Sequence, residues 1–207
     1  MNRRTLMKGS LTLGAGALLA GCSEPPTPRP TSSSKVLLAY FSRPGENYHY
    51  GGRIDLAVGN TEVLADMIAS TVTVDVYRIQ AADPYPQSYQ ATVERNKNEQ
   101  DAEARPAITG ALPAVESYGA VLLGSPIWNV RPPMIMRTFI DGVDLRGKTI
   151  HPFVTYAVSG MGNTVDDYTR LCPEATIGEG LAVRGEEVRD AQTDMMSWLQ
   201  RIPQFAK

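Results

Sequence analysis

Val121-Leu122-Leu123-Gly124-Ser125-Pro126-Ile127-Trp128-Asn129 is an apolar run that stops at a proline and presents a tryptophan. An apolar run of this length bounded by turn residues reads as a buried strand, and a flat indole at its carboxyl end reads as a platform for a flat ligand. Two other runs end in comparable loops. Val36 to Phe41 is followed by Ser42 and, after a long excursion, by Gly59-Asn60-Thr61 at the head of a helix. Phe153 to Val158 is followed by Ser159-Gly160-Met161-Gly162-Asn163, a loop with little side chain to hold a ligand away. In open parallel α/β sheets ligands bind outside the carboxyl ends of the strands, so the three loops are expected to meet at one crevice.

Working outward, strand and helix patterns alternate. Val36–Phe41, Ala120–Gly124 and Ile150–Val158 read as buried strands. Val72, Val74 and Val76 alternate with Thr73, Asp75 and Tyr77, as in an edge strand. A weaker strand spans Ala175–Val183 and is interrupted by Gly178 and Gly180. Helices are expected over Glu62–Ser70, Ser88–Ala104, Pro133–Ile140 and Thr164–Leu171, and over Glu186–Ile202, whose apolar stripe carries Trp198 as a core residue. Strands joined by helical crossovers imply a parallel sheet with helices on both faces. The excursion Arg43–Val58 reads as a glycine-containing flap or as a solvent loop, and Glu94-Arg95-Asn96-Lys97-Asn98-Glu99 as a solvated helix face.

The chain ahead of Lys35 has a different character. Arg3, Arg4 and Lys8 precede an apolar run of 13 residues, Gly9–Gly21, that ends in Leu19-Ala20-Gly21-Cys22. A spanning helix needs about 20 apolar residues, so residues 1–21 read as an export signal. The paired arginines resemble a twin-arginine signal, and Leu-Ala-Gly-Cys resembles a bacterial lipobox, which implies cleavage before Cys22 and lipid on its thiol. The alternative is an ordinary secretory signal followed by a chance cysteine. Residues 22–34, proline- and serine-rich and without apolar periodicity, read as a tether reaching at most about 37 Å beyond the cysteine. These features place the protein in the cell envelope, held to a membrane by its N-terminal lipid, with residues 35–207 as the folded domain.

The full chain has 20 basic and 22 acidic side chains. Removal of residues 1–21 leaves 17 basic against 22 acidic, a formal charge of −5, which argues against a nucleic-acid partner. There is no cluster with metal-ligand spacing, no Ser/His/Asp triad and no activated cysteine setting, so neither a metal nor a covalent catalytic residue is expected. His49 in the excursion and His151 at the start of a strand are isolated, and a structural role is the simpler reading for His151. A lipidated Cys22 leaves Cys172 without an intrachain disulfide partner.

From Lys35 onward the chain resembles the flavodoxin family, in a branch with an expanded first loop. The residues that carry the resemblance are Phe41-Ser42-Arg43-Pro44-Gly45-Glu46-Asn47 and Gly59-Asn60-Thr61-Glu62, which flank the insertion, with Gly124-Ser125-Pro126-Ile127-Trp128 and Ser159-Gly160-Met161-Gly162. The resemblance implies a doubly wound, flavodoxin-like α/β fold, a five-stranded parallel sheet of order 2-1-3-4-5, and FMN as cofactor. The first loop would then hold a phosphate dianion without a lysine, using the hydroxyl and amide groups of Ser42, Asn60 and Thr61, the close approach allowed by Gly59, and the free N–H groups of a helix start. The competing reading is that Asn60 or Thr61 simply caps the helix.

Trp128 would lie against the isoalloxazine, and as a loop platform it is expected to contribute little to the core. Asn129 and the backbone of Pro126 and Ile127 would reach the ring's polar edge, and Ser159, Gly160, Met161 and Gly162 would complete the site. Met161 stands where many flavodoxins place a second aromatic ring. Two functions fit: an electron carrier between redox proteins, or an NAD(P)H-dependent reductase of quinones or similar small acceptors. The absence of a second nucleotide fingerprint favours the carrier.

Overall fold

The computed structural model describes residues 35–206. The export signal, Cys22 and the tether lie outside the described residues. The first strand, β1 (Val36–Phe41), is buried along its whole length. An antiparallel hairpin follows, β2 (Gly45–His49) and β3 (Gly52–Leu56), and the chain then enters α1 (Asn60–Thr71), β4 (Asp75–Ile79) and α2 (Tyr89–Asp101). The second half runs through β5 (Ala120–Pro126), α3 (Met134–Gly142), β6 (Thr149–Tyr156), α4 (Thr164–Leu171), β7 (Thr176–Ile177), β8 (Leu181–Arg184), a 3₁₀ helix over Gly185–Asp190, and α5 (Gln192–Gln200).

The main sheet has the order β4-β1-β5-β6-β7, with β8 also paired to β6, and every pairing is parallel. This is the expected 2-1-3-4-5 order with the fifth position shared by two short strands. Successive side chains of a strand face opposite sides, so β1 serves two cores. Val36, Leu38 and Tyr40 join Leu64 and Ile68 of α1 and Met195, Trp198 and Leu199 of α5. Leu37, Ala39 and Phe41 join Ile135, Met136 and Phe139 of α3 and Tyr168 of α4. Trp198 is fully buried and its indole N–H donates to the Glu179 carbonyl at 2.9 Å, the core placement expected of it.

Four local expectations are corrected. The excursion is an ordered hairpin rather than a solvent loop. Its turn, Tyr50-Gly51, has φ of +45° and +88°, the form that suits a two-residue hairpin, but tyrosine in the first position hides the usual Asn-Gly signal. The edge strand starts at Asp75 rather than Val72, because α1 continues to Thr71 and Val72 and Val74 pack on the core as the chain leaves the helix. The fifth strand divides opposite His151-Pro152, where a Cβ on Gly178 would lie 2.4 Å from the His151 ring and Pro152 has no N–H to give a ladder. The last helix begins at Gln192, after the 3₁₀ segment.

Candidate functional site

The carboxyl ends of β1, β5 and β6 open into one cavity of about 400 Å³, within the range of about 300–1,000 Å³ usual for small-molecule sites. Ser42, Asn60, Thr61, Pro126, Ile127, Trp128 and Asn129 all line it. Gly59 forms part of its first loop without appearing in the wall. Ser159, Gly160, Met161 and Gly162 are also not among the lining residues; the end of β6 contributes Thr155, Tyr156 and Ala157 instead. The glycine-rich loop lies behind the Trp128 turn. Asn163 N–H donates to the Val130 carbonyl at 2.7 Å, and a Cβ on Gly162 would fall 2.3 Å from that same oxygen.

The head of α1 is built as an open set of donors. Its N-cap is Gly59, and no side chain of the cap residue bonds the helix, so neither Asn60 nor Thr61 serves as the cap. The N–H groups of Asn60 and Thr61 stand at the start of the helix without intrahelical acceptors. One donor further on, Glu62 N–H reaches both the Gly59 carbonyl at 3.0 Å and the Ser42 hydroxyl at 3.1 Å. Gly59 is required by space rather than by dihedral: a Cβ there would lie 2.3 Å from Ser42 Oγ and 2.5 Å from the Arg43 carbonyl oxygen. The Thr61 side chain turns inward and its hydroxyl lies 2.7 Å from that of Thr155, tying the helix start to the end of β6. The Asn60 amide packs where a Cβ on Gly185 would fall, at 2.4 Å.

On the opposite side, Trp128 sits in a tight turn with Arg131, closed by Trp128 N–H to Arg131 O at 2.9 Å. Asn129 and Val130 have φ of +48° and +60°, the two positive values of a type I′ turn. The indole is half-buried and meets the rings of Tyr85 and Phe41 edge-on, at 5.1 and 5.6 Å between centroids. Trp128 therefore has core contacts as well as a face on the cavity. Gln100 of α2 holds the turn from the side: its amide donates to the Trp128 carbonyl at 3.1 Å and accepts from the Asn129 amide at 2.8 Å.

The third wall was not legible in the sequence. Tyr89, Thr92, Val93, Asn96 and Lys97 of α2 line the cavity together with Arg43, Asn47 and Tyr48 from the first loop and hairpin. The expected solvated face of α2 is thus only half right: Asn96 is buried, and Arg95 lies 4.1 Å over the Tyr85 ring while pairing with Glu99. Lys97 and Asp101 pair with each other at 2.6 Å at the cavity's edge. The hairpin is fastened at both ends. Glu46 accepts the Tyr89 N–H at 2.9 Å, Arg53 stacks 3.7 Å over the Tyr89 ring, and at the tip Tyr50 N–H donates to the Glu186 carboxylate at 2.9 Å. The strand Gly45–His49 carries no period-two pattern, and its docking partners are remote in sequence.

Among the described residues no group of three or more His, Cys, Asp or Glu side chains is placed to hold a metal ion, and no helix is long and apolar enough to cross a membrane. Burial raises the Cys172 thiol pKa to about 11, with a contribution from Asp141, which keeps it protonated and unsuited to nucleophilic work near neutral pH.

A family model described as flavodoxin matches residues 35–202. Among solved structures, the chain is similar to a candidate flavoprotein from Bacteroides eggerthii, with 30% identity over 81% of this chain and 97% of that one and a TM-score of 0.66. A second, from Bacteroides uniformis, has 27% identity over 82% and 99% of the two chains and a TM-score of 0.67. A flavoprotein from Lactobacillus acidophilus, solved in complex with FMN, shares the fold at 18% identity over 75% and 97%, with a TM-score of 0.54. No curated protein matches.

Proposed function

The chain belongs to the flavodoxin family, and from that premise we propose that it is an FMN-binding electron-transfer protein of the cell envelope. The observation that carries the cofactor reading is that one cavity joins the open N-terminus of α1 to the face of Trp128. A ligand with a phosphate at one end and a flat ring at the other matches that arrangement. Ser42, Gly59, Asn60 and Thr61 would hold the phosphate. Trp128 would lie on the ring, with the backbone of Pro126 and Ile127 near its polar edge and the loop Ser159, Gly160, Met161, Gly162 backing the turn. Asn129 already spends its amide on Gln100, so its contribution is to hold the turn. The redox chemistry is supplied by the bound flavin, which takes up and gives back one or two electrons.

The protein's own residues bind, orient and shield. Tyr48 and Tyr89 line the cavity beside the hairpin, which is held in place by Arg53 on the Tyr89 ring and by Tyr50 N–H on Glu186. Electrons would pass between redox protein partners at the open side. A second reading, an NAD(P)H-dependent reductase of quinones or similar acceptors, is favoured by one feature: the cavity extends along α2 to Val93 and Lys97, beyond what the three strand ends enclose. Purified protein should show a flavin spectrum and release FMN rather than FAD. Anaerobic addition of NADH or NADPH should leave the flavin oxidised in a carrier and bleach it in a reductase.

The envelope location rests on the residues before the domain. Cys22 in its lipobox setting supports a lipid anchor, and the paired Arg3 and Arg4 support export of an already folded protein. Cys22→Ser should move the protein from the membrane fraction to the soluble fraction. Persistent membrane attachment in that variant would point to an uncleaved anchor.

A further inference from the structure

Arg43 is a buried cation on the cavity wall with an unfinished set of partners. Only 7% of it is exposed. One terminal nitrogen donates to the carbonyls of Pro86 and Gln87, at 2.9 and 3.1 Å, and the other to the carbonyl of Glu46. Its Nε–H, also buried, has no hydrogen-bond partner among the described residues. The acceptors are neutral carbonyls, and no carboxylate forms an ion pair with Arg43 among the described residues. Glu46 and Asp55 favour its charge through space, yet a Glu46 oxygen is committed to the Tyr89 N–H. Burial without an ion-pair partner is costly for a guanidinium, and an unsatisfied buried N–H adds to the cost.

The position of this cation gives it a use. Its backbone abuts the head of α1, since a Cβ on Gly59 would lie 2.5 Å from the Arg43 carbonyl oxygen, and the residue lines the same cavity as Ser42, Asn60 and Thr61. The first turn of α1, whose Asn60 and Thr61 N–H groups lack intrahelical acceptors, and the buried cation of Arg43 therefore border one cavity. Both features favour an anion, the first by its dipole and open N–H groups, the second by its charge.

We propose that Arg43 supplies positive charge to the phosphate of FMN, so that this first loop holds the dianion with a cation as well as with hydroxyls and backbone amides. The inference rests on the FMN reading above. The same guanidinium pins the hairpin to the segment Pro86–Gln87, so the residue that balances the phosphate also positions the wall beside it.

The test compares FMN with riboflavin, which has the same ring and no phosphate, by fluorescence titration of the apo form of the full-length protein. Arg43→Gln should weaken FMN about 10- to 100-fold, as for loss of a nearby charge in a partly buried site. Riboflavin should change by less than about threefold, and Arg43→Lys should fall between the wild type and the glutamine variant. Arg146→Ala, which removes an exposed cation paired with Asp144 outside the cavity, should leave the ratio of the two affinities unchanged. Inorganic phosphate should raise the melting temperature of the wild-type apo form more than that of Arg43→Lys. Equal weakening of both flavins in the Arg43 variants would overturn the proposal and leave the residue a structural pin. Wild-type protein that binds riboflavin and FMN equally would also overturn it, whereas failure to bind either flavin would remove the FMN reading itself.

Discussion

The hydroxyls of Thr61 and Thr155 lie 2.7 Å apart, although 94 residues separate them in the chain, and the two residues are 1% and 4% exposed. This bond fixes the first turn of α1 against the end of β6, so two parts of the cavity wall are held as one unit. Truncating either partner strands a buried hydroxyl. Thr61→Val and Thr155→Val should each cost about 1–3 kcal/mol, while the double variant should cost less than their sum because no orphan remains. Denaturant melts of the four proteins of the cycle measure the coupling, and strict additivity would mean the bond contributes nothing.

Trp128 and Trp198 should separate binding from folding only in part. Trp128→Ala is expected to weaken FMN by about 1–3 kcal/mol, roughly 5- to 150-fold in Kd. Because its indole also meets Phe41 and Tyr85, the apo form should lose about 2–3 kcal/mol as well, contrary to the expectation for a pure loop platform. Trp198→Ala should cost about 3–5 kcal/mol and take the indole donor from the Glu179 carbonyl, with no direct effect on the flavin. Melts of the apo forms alongside flavin titrations distinguish the two patterns.

His151 should make the fold sensitive to acid. Its ring is buried, Nδ1 lies 3.2 Å from the Glu179 carbonyl, and Nε2 has no partner among the described residues. Burial lowers its pKa below the ordinary value of 6.5, only partly opposed by Glu179. Between the folded pKa and 6.5 the unfolded chain binds more protons. The stability contribution is thus present above about pH 6.5 and lost as pH falls through the folded pKa. His151→Gln should flatten the loss of stability below pH 6.5, and an unchanged pH profile would show that carboxylates alone govern it.

The hairpin should open independently of the sheet. Glu186→Ala removes the acceptor for the Tyr50 N–H at its tip while leaving β1 and the two cores untouched. Hydrogen exchange at Tyr50–Gly52 should accelerate at least several-fold, with the global unfolding midpoint changed little. Matched changes in both measurements would mean that the hairpin and sheet unfold together.

Val130 carries strain that glycine would relieve. A β-branched residue at φ +60° costs about 1–2 kcal/mol, partly offset by the greater entropy that glycine loses on folding. Val130→Gly should therefore stabilise the apo form by about 0.5–1 kcal/mol, read as a higher denaturant midpoint. A lower midpoint would show that the side chain contributes packing that outweighs the strain.

Periodicity and punctuation in the sequence were enough to determine the buried strands, the alternation with helices and the meeting of Ser42, Asn60, Thr61 and Trp128 at one end of the sheet. Those features follow from local rules, the two-residue period of a strand and the loops at its carboxyl end, and the parallel topology brings the loops together. Tertiary structure alone decided the rest. Tyr50-Gly51 became a hairpin turn because Glu186 and Tyr89 hold the excursion against the domain, and α2 turned Asn96 inward because Gln100 grips the Trp128 turn. Arg43 gave no sign in the sequence that it would be buried, since its partners are backbone carbonyls, two of them 43 and 44 residues away. Backbone carbonyls carry no residue identity, so contacts made to them leave no trace in a sequence pattern.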